Sequence, residues 1–210
     1  MNLYQQLKWL TSRPPRSQIK YIVSTYINGK LSKKFYGKSL LGNFLHRLYV
    51  ALAAGVSVNF PVGSAPFDVL SSLDDIGGVS RSIYNQYKWD ISAPTADASH
   101  GLVFGRGDTA VSAVDISLET ICAEGTGANQ LNYQTQTANQ GCEVSSLTTS
   151  FILQRIAVNN SGAPINIWEI GLYIYTVPWS FILYRDVLSS ADAVGDGDSY
   201  RVTLEISVTS

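Results

Sequence analysis

The chain has 210 residues and a formal net charge of −1, and only 15% of its residues are charged, against about 25% in an ordinary soluble domain. Such a length holds one large β domain, or one domain with an arm. A surface so poor in charge repels neighbours weakly, which suits a subunit packed into an assembly; a compact extracellular β protein is the alternative. The longest apolar run, residues 48–62, is interrupted by Gly55, Ser57 and Asn59. It falls short of the about 20 residues that a spanning helix needs, so we expect no membrane span. The first 20 residues have no apolar stretch typical of a signal peptide.

Charge is distributed unevenly along the chain. Residues 1–67 contain nine basic side chains and no Asp or Glu, whereas the remaining residues hold six basic and 16 acidic ones. This asymmetry favours head-to-tail packing or contact of a basic arm with an acidic partner, and a solvated basic face is the alternative. Nucleic acid is not the expected partner, because no nucleic-acid-binding motif or stacking platform accompanies the basic residues. The side chains that we expect to make assembly contacts are Arg13, Arg16, Lys33, Lys34 and Lys38.

The first part of the chain predicts an arm, a hairpin and one helix. Residues 1–18 form the arm, in which Arg13-Pro14-Pro15-Arg16 favours an extended backbone. In residues 19–37, two alternating runs flank Asn28-Gly29, a strong sequence signal for a β-hairpin. Residues 39–55 predict a helix that begins after Ser39 as its N-cap. We expect its apolar stripe to cover an open sheet, with a membrane-surface role as the alternative. The stripe comprises Leu41, Phe44, Leu45, Leu48, Tyr49 and Leu52.

The rest of the chain predicts short strands. Residues 61–75 predict a loop, and the sequence Asn-Asn-Ser-Gly at 159–162 predicts a tight reversal. Strands at this spacing are typical of a mainly β protein, an antiparallel β-sandwich or jelly-roll-like fold. We predict one such domain over residues 19–210, with the hairpin and helix of residues 19–55 packed on it. The predicted strands are residues 79–89, 101–104, 131–137, 146–159, 164–176, 180–187 and 199–208.

Motifs for catalysis or cofactor binding are weak. Gly105 and Gly107 lack the following Lys and the βαβ context of a phosphate-binding loop. Only two histidines, His46 and His100, are available for a Ser–His–acid triad, and neither lies near a nucleophile-elbow sequence. We therefore expect no enzymatic activity, no cofactor and no metal.

Two further groups of residues have a structural alternative to a functional role. Asp192, Asp196 and Asp198 alternate in a loop, as weak calcium ligands do, but no Glu closes the loop at EF-hand spacing. A solvated acidic turn is the expected outcome. Cys122 and Cys142 do not make a disulfide framework, and they pair only if facing strands bring them together.

Five motifs occur in an order that resembles a known protein family. They are GRGDTAVSAVDISLET (105–120), RIAVNNSG (155–162), NIWEIGLY (166–173), YRDVL (184–188) and the closing strand of residues 197–208. In this order they are similar to motifs of a β-rich domain found in virion proteins of tailed phages and related viruses. Tyr184 stands where the family motif usually has Ala. The likeness covers residues 101–210, and the abundance of Tyr with few charges also suits a virus of a thermophilic archaeon.

The resemblance implies a structural protein of the virion, made in the host cytoplasm. Capsid, neck or collar, tail and surface projection are the locations that it implies, with copies of the chain and other virion proteins as partners. It also implies that Gly105, Gly107 and Asp108 form a structural turn, in which Asp108 and Ser112 bond nearby backbone N–H groups. The tripeptide Arg106-Gly107-Asp108 matches cell-adhesion ligands, but three common residues recur by chance in many proteins.

Two other functions compete with a structural role. A β-sandwich that binds a glycan or a host receptor on its loops is the main alternative. A hydrolase on a jelly-roll scaffold is the third, although no acid pair or metal cluster is placed for it. In the glycan-binding hypothesis aromatic side chains stack on sugar, whereas in the structural one they belong to the core or its rim. These side chains are Tyr84, Tyr87, Trp89, Trp168 and Trp179.

Overall fold

A computed structural model describes residues 18–37, 39, 69–84, 90–138, 143–145, 148–176 and 178–209. This part of the chain is mainly β, and every pairing between its strands is antiparallel. It contains no helix, and so none long and apolar enough to cross a membrane. Apart from Ser39 and Gln18, the predicted helix of residues 39–55 and the arm lie outside the described residues. The strands are β1 (Gln18–Ile27), β2 (Lys30–Tyr36), β3 (Val69–Asp74), β4 (Ser80–Tyr84), β5 (Gly101–Gly105), β6 (Asn132–Tyr133), β7 (Thr137–Ala138), β8 (Glu143–Ser145), β9 (Thr148–Val158), β10 (Ile165–Thr176), β11 (Trp179–Val194) and β12 (Ser199–Thr209).

The strands form three sheets. A seven-stranded sheet has the order β2-β1-β12-β9-β6, and the short strands β7 and β8 also pair with β9. A three-stranded sheet has the order β11-β10-β5, and β3 and β4 form a separate hairpin. The predicted hairpin of residues 19–37 is confirmed as β1 and β2. Both turn residues have positive φ angles, 50° at Asn28 and 76° at Gly29, as a two-residue turn matched to the twist of the strands requires.

Two short turns carry the chain between the large sheets. Residues 159–162 make the predicted reversal, but it joins β9 of the seven-stranded sheet to β10 of the three-stranded one. The turn after β11 returns the chain to β12. Asn159 holds both turns, because its buried amide donates hydrogen bonds to Ala163 O and Val194 O at 2.8 Å each. Its side-chain oxygen accepts the backbone N–H of Ser161 at 3.0 Å.

The two large sheets contribute to one hydrophobic core. From the seven-stranded sheet come Leu153, Val202 and Leu204, among others, and from the three-stranded sheet Phe104 and Ile170. The ring of Phe104 packs edge-on against Tyr200 at 5.1 Å between ring centroids. This core accounts for the alternating burial along β9 and β12, where every second side chain faces it.

The prediction of a loop at residues 61–75 is wrong for residues 69–74, because these residues form β3. A smaller core explains the strand: Leu73 of β3 is buried against Ile174, Phe181 and Leu183 of the three-stranded sheet. The turn to β4 is fixed by Asp75, whose Oδ1 accepts the backbone N–H groups of Gly77 and Val79 at 2.9 and 3.0 Å. Asp75 and Gly78 are typical turn residues, so the sequence predicts a loop here. The structure shows that they form the turn of a short hairpin.

Candidate functional site

Residues 106–120, which follow β5, are fastened to the three-stranded sheet by one buried carboxylate. Glu169 lies on β10 directly opposite Gly105 and is fully buried. Its Oε1 accepts hydrogen bonds from the backbone N–H groups of Gly107 at 3.0 Å and Thr120 at 2.8 Å. Its Oε2 accepts the backbone N–H of Glu119 at 3.1 Å and Arg185 Nε at 2.9 Å. Each carboxylate oxygen therefore accepts two hydrogen bonds from within the protein.

Arg185 of β11 continues this network to the surface. Its Nη1 donates to Asp115 Oδ2 at 2.7 Å and its Nη2 donates to Thr109 O at 3.2 Å, while Glu119 Oε2 lies 3.7 Å from Nη2. Burial by itself lowers the pKa of Arg185, but the hydrogen bonds to Asp115 and Glu169 outweigh burial and raise that pKa. The guanidinium thus stays charged, and the loop is tied to two strands by charge-assisted hydrogen bonds.

The glycines of this region are needed for close approach. A Cβ atom on Gly105 would lie 2.4 Å from Glu169 Oε1, and one on Gly107 would lie 2.4 Å from Glu119 Cβ. Neither glycine has a left-handed φ angle, so the tight turn itself does not demand them. Gly171 of β10 similarly leaves room for Leu118, whose Cδ2 would be 2.9 Å from an added Cβ.

Carboxylates other than Asp108 hold the backbone of this turn. Asp108 is exposed, whereas Glu119 Oε2 accepts the backbone N–H of Thr109 at 2.9 Å. That hydrogen bond is the main reason why the pKa of Glu119 lies below its usual value. Ser112 takes part locally: its N–H donates to Asp115 Oδ2 at 2.9 Å.

A pocket of about 390 Å³ lies beside this loop. Asp115, Glu119 and Arg185 provide its charged lining, together with Thr109 and Val114. The Arg185 groups that face it are already bonded to Asp115 and Thr109, so the lining offers a ligand few free donors. Within the described ranges, no group of three or more His, Cys, Asp or Glu is placed to hold a metal ion.

The three aspartates around the β11–β12 turn are separated by their own partners. Asp192 is buried and bonds Lys33 and Tyr200. Asp196 Oδ1 accepts the backbone N–H of Gly162 at 2.8 Å. Asp198 Oδ2 accepts the backbone N–H of Gly195 at 3.0 Å. Each carboxylate therefore fixes a different part of the scaffold.

Arg155 is a second buried hub, and the sequence predicted no role for it. It is fully buried on β9, and its guanidinium stacks 4.7 Å from the centroid of the Tyr133 ring. Within the described part of the chain, its hydrogen bonds go to backbone carbonyl oxygens of residues 94–102, which lead into β5, and of Gln134, which follows β6. The only sequence signal is an Arg at a core-facing position of an alternating strand. The acceptors are Gln134 O (3.1 Å), His100 O (2.8 Å), Leu102 O (2.9 Å), Pro94 O (3.2 Å) and Asp97 O.

The arrangement around His100 is unlike a catalytic triad. Ser99 Oγ lies 2.8 Å from His100 Nδ1, and Asp97 Oδ2 lies 3.4 Å from the same nitrogen. In a triad the hydroxyl and the carboxylate bind opposite ring nitrogens. Ser99 Oγ instead donates to Asp97 Oδ1 at 2.7 Å, and the His100 ring stacks on Tyr175. His46 lies outside the described residues.

Cys122 is a buried free thiol. Burial is the main cause that raises its pKa to about 12. Because the thiolate is the nucleophile, this side chain is inert near neutral pH. Cys142 lies outside the described residues.

Of the five predicted assembly residues, Lys33 and Lys34 are described, and they have different environments. Lys33 Nζ binds the carboxylate of Asp192 and donates to Ala191 O at 3.2 Å, which fastens β2 to β11. Lys34 is exposed and borders a pocket on the outer face of the seven-stranded sheet. Arg13, Arg16 and Lys38 lie outside the described residues.

The aromatic residues of the glycan-binding hypothesis are only partly available. Trp168 and Trp179 are both half-buried. The guanidinium carbon of Arg81 lies 5.0 Å from the centroid of the Trp179 ring, so a cation occupies one face of that ring. Tyr87, Trp89 and the side chain of Tyr84 lie outside the described part.

No protein-family model, curated protein or solved structure matches this chain. The resemblance to virion proteins therefore rests on its motifs. Three of them meet in the network of Glu169: residues 105–120 supply the loop, NIWEIGLY supplies Glu169 and Gly171, and YRDVL supplies Arg185. The remaining two supply the hubs Arg155 and Asn159 and the turn residue Asp198.

Proposed function

We propose that the chain is a non-enzymatic structural subunit of a virus particle. It acts in the capsid, neck, tail or a surface projection, through contacts with copies of itself and with other virion proteins. We also propose that its two large sheets stack as a jelly-roll-like β-sandwich, with an amphipathic helix in residues 39–55 packed on it. The proposal builds on the motif resemblance and on the chemistry of the motif residues.

The observation that carries the proposal is that the motif residues hold the scaffold together. The carboxylate of Glu169 accepts four hydrogen bonds, which come from Gly107, Glu119, Thr120 and Arg185. A catalytic carboxylate or guanidinium needs hydrogen-bond acceptors or donors that are free to contact a substrate. Here the charged groups bind backbone groups and one another, as expected for residues that stabilise the fold of a structural subunit.

Among the described strands, β2 is the last strand at one edge of the seven-stranded sheet, and this edge is the surface that we assign to assembly. On β2, Leu31 is 56% exposed and Tyr36 is 66% exposed, and Lys30 and Lys34 of the same strand are also exposed. An edge strand has unpaired backbone groups, and its lysines disfavour pairing with an identical basic edge. The edge therefore selects an acidic partner surface, which the acid-rich residues 68–210 of a neighbouring copy can supply.

The test is the mass of the full-length protein by light scattering at low and high salt. We expect an oligomer that dissociates as salt rises, because exposed charge pairs are screened. Lys34→Glu should weaken the oligomer, whereas Lys20→Glu, the same charge change on the neighbouring strand β1, should have little effect. A monomer at every salt concentration would contradict self-assembly, and equal effects of both variants would contradict the role of the β2 edge.

A further inference from the structure

One end of the seven-stranded sheet carries an exposed row of mostly apolar residues. Ile19 of β1 lies directly opposite Val208 of β12, which lies opposite Thr149 of β9, which lies opposite Val144 of β8. Ile19 is 48% exposed, Val208 42% and Val144 74%, and Thr149 is also exposed. We call these four residues the end row. Directly opposite residues in neighbouring strands share a face, so the end row is one continuous strip about 14 Å wide.

The end row belongs to the same face as the hydrophobic core. Two residues further along each strand, Tyr21, Ile206 and Phe151 are partly buried and pack against the core. Another two residues along, Val23, Leu204 and Leu153 are almost completely buried. Burial thus decreases stepwise toward the end of the sheet, and the end row is the part of the core-facing surface that the described residues leave uncovered.

We propose that the end row binds the apolar N-terminal segment of a second copy, residues 3–10 (LYQQLKWL). The proposal rests on the assembly function above and names one of its contacts. The end row adjoins the point where residues 1–17 join the sheet, since Ile19 follows the first residue of β1. The segment is rich in apolar side chains, with Leu3, Leu7 and Leu10 recurring at intervals of four and three residues. It is the apolar segment whose attachment point lies nearest to the end row along the chain.

The sequence between this segment and β1 favours exchange between copies. Arg13-Pro14-Pro15-Arg16 favours an extended and semi-rigid backbone of about 3.1 Å per residue. Such a spacer opposes the sharp reversal that would return the segment to the end row of its own chain. Charge agrees with the same contact, because Glu143 is exposed beside Val144 and the segment carries Lys8 and no acidic residue.

The first experiment compares full-length variants by light scattering. Val144→Lys changes the end row, Leu7→Asp changes the segment, and Val79→Lys is the control, since Val79 is a 48% exposed valine outside the end row. We expect each of the first two variants to raise the dissociation constant of the oligomer about 10- to 100-fold, the effect of losing one buried aliphatic side chain. The control should leave it unchanged.

The second experiment locates the bound segment. Thr149→benzoylphenylalanine is introduced into isotopically heavy protein, mixed with light wild-type protein and irradiated. Cross-links from heavy Thr149 sites to light peptides of residues 1–12 are the expected result. Cross-links within heavy chains only, or none to residues 1–12, would overturn the proposal. An oligomer that neither Val144→Lys nor Leu7→Asp weakens would overturn it and leave assembly intact, whereas a monomeric wild type would overturn both.

Discussion

Arg185 Nε donates a hydrogen bond to Glu169 Oε2 at 2.9 Å, between two side chains that are 3% and 0% exposed. The pair joins β10 to β11 and, through the other oxygen of Glu169, to the backbone of residues 107 and 120. A buried ion pair stabilises only if every remaining donor and acceptor is satisfied. That condition is met at Glu169, so the pair fixes the loop in one position over the sheet.

Replacing Glu169 should be the most damaging conservative change in this network. In Glu169→Gln the amide keeps one acceptor oxygen for four donors and leaves Arg185 without this carboxylate. We expect the free energy of unfolding to fall by about 3–5 kcal/mol, as measured by urea denaturation. Glu143→Gln, at an exposed position, is the control and should change it by less than about 0.5 kcal/mol. Similar losses in the two variants would contradict the assigned network.

Gly105→Ala should destabilise the protein through Glu169. The new Cβ would lie 2.4 Å from Glu169 Oε1, and overpacking of this kind costs about 1–3 kcal/mol. The cost should largely disappear in a Glu169→Ala background, because the clashing atoms are then absent. Gly162→Ala, which meets no atom within 4 Å but has a φ of +81°, should cost the same in both backgrounds. Additive effects of Gly105→Ala and Glu169→Ala would argue against the close-approach explanation.

Arg155→Lys should lose stability although charge is retained. An ammonium has three donors at one point and cannot reach the five carbonyl oxygens that the planar guanidinium binds. With buried carbonyls left unpaired, we expect a loss of at least about 3 kcal/mol in urea denaturation. Arg201→Lys, on the neighbouring strand β12 with its guanidinium over Tyr26, should cost less than about 1 kcal/mol. Equal costs would mean that the carbonyl contacts of Arg155 contribute little.

Lys33→Met should remove a pH-dependent contribution to stability. Burial alone would raise the pKa of Asp192, but hydrogen bonds from Lys33 and Ser32 outweigh it and lower that pKa. The contribution is therefore present above the pKa of an unfolded aspartate, about 4, and is lost as pH falls through the folded value. We expect Lys33→Met to cost about 1.5–3 kcal/mol at pH 7 and clearly less at pH 3. Lys34→Met, at an exposed site, should cost little at either pH, and a pH-independent cost of Lys33→Met would count against the ion pair.

Cys122 should react with thiol reagents only after unfolding. In a Cys142→Ser background, the folded protein should resist labelling at pH 8, because the Cys122 pKa is about 12 and the side chain is buried. Since an unfolded thiol ionises near pH 9, stability should fall as pH rises from about 9 toward 12. In Cys122→Ala, the slope of the unfolding free energy against pH in this range should be smaller by the contribution of one proton. Rapid labelling at pH 8 before any loss of secondary structure would show that the thiol is accessible in the fold.

Local sequence patterns predicted most of the strands correctly. Alternation along residues 199–208 predicts β12 because each second side chain faces the core. The hairpin β1–β2 was predictable because Asn28 and Gly29 accept positive φ angles at small cost. β3 was missed because the side chains that bury its Leu73, Ile174 and Phe181, are supplied by the distant strands β10 and β11.

The candidate site was only partly predictable. The motif resemblance implied a structural turn at Gly105, Gly107 and Asp108, but nothing in the sequence connected that turn with Glu169 or Arg185. Arg155 likewise reads as an ordinary charged residue until the fold places five carbonyl groups around it.

By itself, the sequence determined the β class of this protein, its two-residue hairpin turn and the contrast between an acid-free front and an acid-rich remainder. These features depend on backbone sterics, on the two-residue period of a strand and on composition, which act within a few residues. Only the tertiary structure decided which carboxylate binds which guanidinium, why Gly105 has no side chain and where the end row lies. Those relationships join residues as distant as Ile19 and Val208, and they exist only once the sheets have aligned.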